Sequence, residues 1–210
     1  MTDIAAVADI AEMLTRRALE FGEIDRSICH HSDGRPETDS THTVMLSWLA
    51  PALADLLYPQ LDPLLVAAFA VVHDAVEVYA GDTPTMRITP AGREAKRRRE
   101  ASAVLRWFSE FGSGLPWLPQ MIHRYEKQEE PEARFTRAVD KMLPALTHFA
   151  NGGRYLAEFG VTAGEVEALR PVRYAEMAAY AGEFTAILDL RSEISRRLAV
   201  LLREREAQGA

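Results

Sequence analysis

The stretch HDAVEVYAGD, residues 73–82, places one imidazole and three carboxylates at the end of an otherwise apolar segment. Residues three or four positions apart share a helix face, so His73, Asp74 and Glu77 would project to neighbouring points. Asp82 follows a glycine, a typical helix stop, after which the chain can turn back. Buried carboxylates are costly unless they are paired, and imidazole with carboxylate suits a divalent first-row cation. The stretch is therefore either a solvated face or part of a cation site.

A metal site needs further ligands from distant segments, and two residues qualify. His42 lies at the start of an apolar helical pattern, and Asp140 lies among apolar neighbours in FTRAVDKMLPAL. Each residue alone is weak evidence for a metal site. A single histidine near a helix start is more often structural, and an Asp-Lys dipeptide is usually a solvated ion pair or a helix cap. The order His, then His-Asp, then Asp on three separate helices, each in an apolar context, favours the metal site.

Apolar residues recur at helical spacing along most of the chain, which predicts an all-α fold. The predicted helices cover residues 4–21, 41–58, 63–80, 93–111, 117–130, 132–150 and one or two segments from about residue 162. Residues 22–40 are rich in Asp, Ser and Gly, which predicts a long loop. No alternating strand pattern, internal repeat or low-complexity linker interrupts the helices, so we expect one domain over residues 1–210.

Composition narrows the class of protein further. The 210 residues are 48% hydrophobic and 26% charged, as in ordinary globular proteins. The net charge of −7 argues against nucleic acid and acidic membranes as partners. A single cysteine, Cys29, suits a reducing compartment. The N-terminal pattern is not that of a signal peptide, and Asp, Glu or His interrupt the apolar runs short of membrane-spanning length. We therefore expect a cytoplasmic protein without a membrane partner.

The chain resembles the HD-domain metal-dependent phosphohydrolases, and among them most the small branch containing bacterial 5′-deoxynucleotidases and related dNTP triphosphohydrolases. The resemblance rests on a specific combination of motifs: His-Asp, a Glu three residues after the Asp, and Gly-Asp-x-Pro-Thr. The matching segments are RPETDSTH (35–42), HDAVEVYAGDTPT (73–85), KRRREASAV (96–104) and YEKQEEPEARFTRAVDKM (125–142). The resemblance implies a single HD-domain bundle of about six to nine helices. Its metal-site core would cover about residues 30–150, flanked by helices over 1–22 and 162–208.

The resemblance also implies roles for individual residues. The metal, one of Mn²⁺, Co²⁺, Mg²⁺ or Zn²⁺, would be held by His42, His73, Asp74 and Asp140. Glu77 and Asp82 match the acidic pair implicated in catalysis.

Three further residues are candidates for binding the substrate. Arg35 matches an arginine before the first ligand histidine and could reach the substrate phosphate. Lys96 matches a family position. The loop carrying His31 precedes His42, so His31 could line the pocket. The KRRRE run at 96–100 is either a solvated helix face or a phosphate grip.

The implied reaction is hydrolysis at the 5′-phosphate of a small (deoxy)nucleotide, by a homodimer or higher homo-oligomer. A 5′-deoxynucleotidase releasing nucleoside and phosphate is the first interpretation. A triphosphohydrolase releasing deoxynucleoside and triphosphate from a dNTP such as dATP is the alternative. The segment EIDRSICHHS lacks the Arg-Trp pair of the deoxynucleotidases, which keeps that alternative open. A second departure from the family pattern is Thr41, which replaces the Glu common immediately before the first ligand histidine. A non-catalytic helical binding module would instead tolerate any change at Glu77.

Overall fold

The computed structural model describes residues 3–83 and 88–209, which form helices and one β-hairpin. The helices are α1 (Ile4–Gly22), α2 (Asp39–Leu57), α3 (Pro63–Val72), α4 (Glu77–Ala80), α5 (Pro90–Phe111), α6 (Trp117–Lys127), α7 (Pro131–Asp140), α8 (Leu143–Ala150), α9 (Arg154–Glu158), α10 (Ala163–Ala181) and α11 (Thr185–Gly209). Nine of the described helices have eight residues or more, and α4 and α9 are about one turn each. The prediction of an all-α bundle is confirmed. Pro84 and Thr85, the end of the Gly-Asp-x-Pro-Thr motif, lie outside the described residues.

The predicted loop over residues 22–40 was wrong, because this segment forms an antiparallel hairpin. Strand β1 (Asp25–His30) pairs with β2 (Pro36–Thr38), with Asp25 opposite Thr38 and His30 opposite Pro36. Strand prediction relies on apolar residues at every second position. The residue buried at the centre of β2 is instead a glutamate, Glu37, so the pattern did not indicate a strand.

The predicted continuous helix over residues 63–80 is interrupted between α3 and α4. The backbone tightens there into turns of 3₁₀ type, in which Ala75 N bonds Val72 O at 3.1 Å and Glu77 N bonds Asp74 O at 2.8 Å. Such stretches inside helices often mark functional segments. The backbone of residues 73–77 is therefore more tightly wound than the α-helix that the sequence pattern predicted, and its side chains project in different directions.

Two prolines have different consequences for their helices. The predicted helix over 132–150 divides after Asp140, because Pro144 has no N–H to bond the Asp140 carbonyl. Asp140 is therefore the last residue of α7. Pro51, by contrast, lies inside α2, which continues past it to Leu57.

The hydrophobic core places α3 at the centre of the bundle. Leu46, Val66 and Phe135 are fully buried in a cluster shared by α2, α3, α7, α10 and α11. The apolar stripe of α11 packs on this domain, with Ile187 and Leu198 buried. Within the described residues, one segment, Pro63–Ala80, is long and apolar enough by composition to cross a membrane. The first part of this segment, α3, contacts α2, α6 and α7 at the centre of the bundle.

Candidate metal centre

Three buried side chains converge between α2, α3 and α7. Ligand atoms of His42, His73 and Asp140 all lie within 4.8 Å of one another. His42 comes from the first turn of α2, His73 follows the last residue of α3, and Asp140 ends α7. His42 Nε2 lies 2.9 Å from Asp140 Oδ1, and His73 Nε2 lies 2.9 Å from Asp74 Oδ2. The structure therefore brings together the four side chains that the sequence predicted as ligands.

In both imidazole rings, Nδ1 has a hydrogen-bond partner on the side away from the cluster. His73 Nδ1 lies 2.8 Å from the Ala70 carbonyl oxygen, which only accepts hydrogen bonds, so Nδ1 carries the proton and Nε2 presents its lone pair. His42 Nδ1 lies 2.7 Å from Glu37 Oε1, and Glu37 Oε2 accepts a 2.6 Å hydrogen bond from Thr147 Oγ1. Histidines that bind metals usually donate their other N–H to a carboxylate or a carbonyl in this way.

The charges around His42 also favour a cation. Burial lowers the pKa of His42, but the hydrogen bonds with Asp140 and Glu37 outweigh burial and raise that pKa to about 9. Burial likewise opposes ionisation of Asp140, yet Lys141 and His42 hold its pKa well below the usual range. The two carboxylates therefore stabilise positive charge at the point where the rings converge.

The donor set fits a divalent metal ion. His73 Nε2 is buried, and its lone pair faces the Asp74 carboxylate at 2.9 Å without a hydrogen bond, since both atoms are acceptors when Nδ1 carries the proton. Two imidazole nitrogens and two carboxylate oxygens, as His42, His73, Asp74 and Asp140 offer, suit a first-row cation. A cation at this point would be shared by the His73 lone pair and the Asp74 carboxylate.

A second carboxylate group adjoins the first. Carboxylate oxygens of Asp39, Asp74 and Glu77 lie within 4.8 Å of one another. Burial, then the charges of Asp74 and Asp39, raise the pKa of Glu77 to about 10. Two cations balance this group. Arg26 Nη1 lies 2.8 Å from Asp74 Oδ2 and 3.1 Å from Asp39 Oδ1, and Lys96 Nζ lies 3.3 Å from Glu77 Oε1. Without a bound cation, burial and crowding by Asp74 and Asp39 therefore favour the protonated form of Glu77, and Lys96 opposes that effect.

The other residues predicted from the sequence divide into two groups. Asp82 is half-buried, and its charge raises the pKa of Glu77, so it lies close to the carboxylates. Lys96 contacts Glu77, as described above. Arg35 is not part of this cluster: its side chain is 79% exposed and its Nε lies 2.7 Å from Asp33 Oδ2 in the hairpin turn. His31 is half-buried in the same turn, where its backbone N–H bonds the Arg35 carbonyl. The substrate contacts of Arg35 and His31 stay predictions.

Three residues of the cluster were not predicted from the sequence, namely Arg26, Glu37 and Asp39. Glu37 and Asp39 belong to the motif RPETDSTH, but there they looked like the polar residues of a loop and a helix cap. Both are fully buried in the structure. No periodic signal surrounds Arg26, whose position depends on its ion pairs with Asp74 and Asp39. Only the tertiary fold could therefore indicate these three.

The chain is similar to a known protein family and to solved structures. The model of the HD domain family matches residues 23–179, a range that contains every residue of the cluster. A crystal structure of a predicted metal-dependent phosphohydrolase from Magnetospirillum magnetotacticum MS-1 is similar over 90% of this chain and 97% of its own, with a TM-score of 0.63 and 26% identity. A protein from Pyrococcus horikoshii OT3 shares the fold over 86% of this chain and 99% of its own, with a TM-score of 0.53 and 21% identity. No curated protein sequence matches the chain.

Proposed function

The chain belongs to the HD domain family, and we propose that it is a metal-dependent phosphohydrolase that cleaves the 5′-phosphoester of a deoxynucleotide. One observation carries this proposal. Two buried imidazoles, each fixed through Nδ1, present Nε2 to the carboxylates of Asp74 and Asp140. The similar structure from Magnetospirillum magnetotacticum, described as a predicted metal-dependent phosphohydrolase, supports the same reaction class.

The substrate phosphate would lie between this site and the cations beside it. A divalent metal held by the four ligands would polarise a phosphoryl oxygen and lower the pKa of water. Arg26 is the guanidinium inside the cluster, with Nη1 at 2.8 Å from Asp74. Its planar fork of N–H donors matches phosphate oxygens, so we assign a phosphate contact to Arg26. Lys96 holds Glu77 at 3.3 Å and adds positive charge on the other side.

The two acidic groups would divide the proton transfers. Burial and the neighbouring carboxylates raise the pKa of Glu77, which suits a role as the acid that would donate a proton to O5′ as the P–O5′ bond breaks. Asp82, less buried, would accept a proton from the water whose oxygen forms the new P–O bond. The products are a nucleoside with a free 5′-hydroxyl and the released phosphate.

Two substrates are consistent with this chemistry because both are cut at the phosphorus beside O5′. A deoxynucleoside monophosphate is the first candidate, following from the sequence. A dNTP is the second, and a specific observation favours it: Lys141, next to the ligand Asp140, lies among further cationic side chains.

The proposal includes a homo-oligomer in the cytoplasm. Trp48 on α2 and Leu64 on α3 are 77% and 79% exposed, which offers apolar surface for a second copy. Cys29 is a buried thiol without a disulfide partner, as suits a reducing compartment.

A substrate panel tests the proposed function. Metal-stripped protein would be resupplied with Mn²⁺, Co²⁺, Mg²⁺ or Zn²⁺ and incubated with dNMPs, dNTPs and the matching ribonucleotides. Metal-dependent release of nucleoside is expected, with orthophosphate as coproduct from monophosphates or triphosphate from dNTPs. No nucleoside release with any metal would contradict the proposal and favour a non-catalytic binding module.

A further inference from the structure

A second cleft, outside the metal centre, is lined mainly by arginines, and we call it the arginine cleft. It has a volume of about 340 Å³, and its walls are formed by Tyr79, Arg98, Arg99, Ser102, Ala103 and Arg106. Tyr79 belongs to α4, and the other residues belong to α5. The three arginine side chains are exposed, so a solute can reach the cleft directly from solvent.

The arginine cleft lies on the opposite side of α4 from the proposed catalytic acid. Successive residues of a helix are rotated by about 100°, so Tyr79 projects about 200° away from Glu77. On α5, Lys96 is the residue that faces Glu77, with Nζ at 3.3 Å from Oε1. None of the described residues that line the cleft is a proposed metal ligand. An anion in the arginine cleft would therefore be distinct from the substrate phosphate at the metal centre.

The arginines of the cleft have few carboxylates to neutralise them. Arg98 Nε lies 3.0 Å from Glu94 Oε1, but the same carboxylate also pairs with Arg97 at 2.5 Å. Arg99 forms no ion pair with a carboxylate of any residue that the structure describes. One glutamate therefore serves two of three consecutive guanidinium groups, and this face of α5 keeps a local surplus of positive charge in a chain of net charge −7.

The third arginine of the cleft is held in place before any ligand binds. Tyr79 donates its hydroxyl hydrogen to Glu110 Oε2 at 2.6 Å, and Arg106 Nε donates to Glu110 Oε1 at 3.0 Å. The Arg106 guanidinium also lies 4.2 Å from the centre of the Tyr79 ring. A guanidinium that is already oriented loses less freedom when it binds an anion. Arg106 is therefore a preorganised donor at the inner wall of the cleft.

Arg99 connects the cleft to the segment that carries Asp82. Its Nη2 donates to Thr83 Oγ1 at 2.6 Å, and its Nε donates to the Ala80 carbonyl oxygen at 3.3 Å. These two contacts lie on either side of Asp82 in the chain. A phosphate in the cleft would compete for the same N–H donors, because charge-assisted hydrogen bonds are stronger than those to neutral acceptors. Anion binding would therefore loosen the segment that holds Asp82.

We propose that the arginine cleft is a regulatory site for a small molecule that carries two or more phosphates. Arg98, Arg99 and Arg106 would bind the phosphate oxygens. A volume of about 340 Å³ is that of a small-molecule pocket, and the net negative charge of the chain disfavours a long polyanion. The regulatory effect rests on the proposed function: the bound ligand lowers kcat by drawing Arg99 away from Ala80 and Thr83.

Calorimetry with inorganic pyrophosphate on the metal-free full chain tests the site. Arg98→Gln and Arg99→Gln would be compared with Arg97→Gln. Arg97 is a matched control because it is exposed, pairs with the same Glu94 as Arg98, and does not line the cleft. We expect Arg98→Gln and Arg99→Gln to weaken pyrophosphate binding by about tenfold or more, since each loses a charge-assisted contact. Arg97→Gln should weaken it by less than about threefold.

Three results would overturn the site: no pyrophosphate binding by wild type, unchanged affinity in Arg98→Gln and Arg99→Gln, or equal losses in all three variants. A nucleoside diphosphate compared with pyrophosphate would distinguish the sources of the phosphates. Tighter binding of the nucleoside diphosphate would identify a nucleotide as the ligand, and equal affinity would identify the phosphates alone.

Kinetics on metal-loaded protein test the regulatory effect, with the concentration of free metal held constant. Pyrophosphate should lower kcat for nucleotide hydrolysis by wild type and by Arg97→Gln. Arg98→Gln should hydrolyse nucleotides at the wild-type rate and lose this inhibition. Inhibition that raises KM alone and persists in Arg98→Gln would place pyrophosphate at the metal centre and overturn the regulatory role. If no nucleotide is hydrolysed but pyrophosphate binding depends on Arg98 and Arg99, the proposed function fails and the anion site stands.

Discussion

Replacing Glu37 with glutamine would show how strongly the carboxylate behind His42 supports the metal. Glu37 is fully buried, with Oε1 at 2.7 Å from His42 Nδ1 and Oε2 accepting from Thr147 at 2.6 Å. Glutamine keeps the shape and can still accept from Nδ1, but it carries no charge. A hydrogen bond to a charged group contributes about 1.5–3 kcal/mol, against about 0.5–1.5 kcal/mol for a neutral one. The loss is therefore about 1–1.5 kcal/mol, or roughly tenfold in metal affinity.

The assay is a chelator competition with Mn²⁺ or Zn²⁺ on wild type and Glu37→Gln. The matched control is Thr147→Val, which removes one hydrogen bond to Glu37 but leaves its charge and its contact with His42. We expect Thr147→Val to change the metal Kd by less than about threefold, and Glu37→Gln to weaken it by about tenfold. An unchanged Kd for Glu37→Gln, or equal losses in the two variants, would refute this reasoning.

Glu77→Gln should keep the metal and lower kcat by about 10²–10⁴, with a smaller loss on p-nitrophenyl phosphate, whose leaving group needs no proton. Equal losses on both substrates would argue against an acid role. Asp74→Asn should lose metal in an elemental assay, and retention would remove it from the ligand set. Burial, partly offset by Glu37, lowers the pKa of His148 to about 4. The unfolded chain therefore binds a proton between about pH 6.5 and 4 that the folded chain excludes, so stability falls as pH drops through that window, by up to about 3 kcal/mol. Urea unfolding should show a smaller fall in His148→Gln, and an equal fall would count against this. Phe135→Ala should cost about 3–5 kcal/mol in the same assay, and a loss under about 1 kcal/mol would contradict its placement in the core.

The fold class could be predicted because the chain buries its core through helices of regular apolar spacing. The predicted ligands could be identified from the order of His42, the His-Asp pair and Asp140 along the chain. These are local features of residue type and spacing, which a sequence displays directly.

The remaining features depend on contacts between distant segments. The buried Glu37 carboxylate is stabilised by hydrogen bonds from His42 and Thr147, and the sequence around Glu37 does not indicate either contact. Arg26 lies in a strand whose partner strand has only three residues. Conversely, Arg35 belongs to a matching motif, yet the hairpin turn directs it to Asp33 and solvent. The positions of polar residues that depend on contacts between distant segments therefore could not be predicted from the sequence.

The most direct test of the metal centre is anomalous diffraction from crystals soaked in Mn²⁺. We expect a peak that has His42 Nε2, His73 Nε2 and carboxylate oxygens of Asp74 and Asp140 within about 2.0–2.3 Å. That result would establish the ligand set on which the proposed reaction depends. An absent peak at saturating Mn²⁺, or a peak at other residues only, would contradict the account.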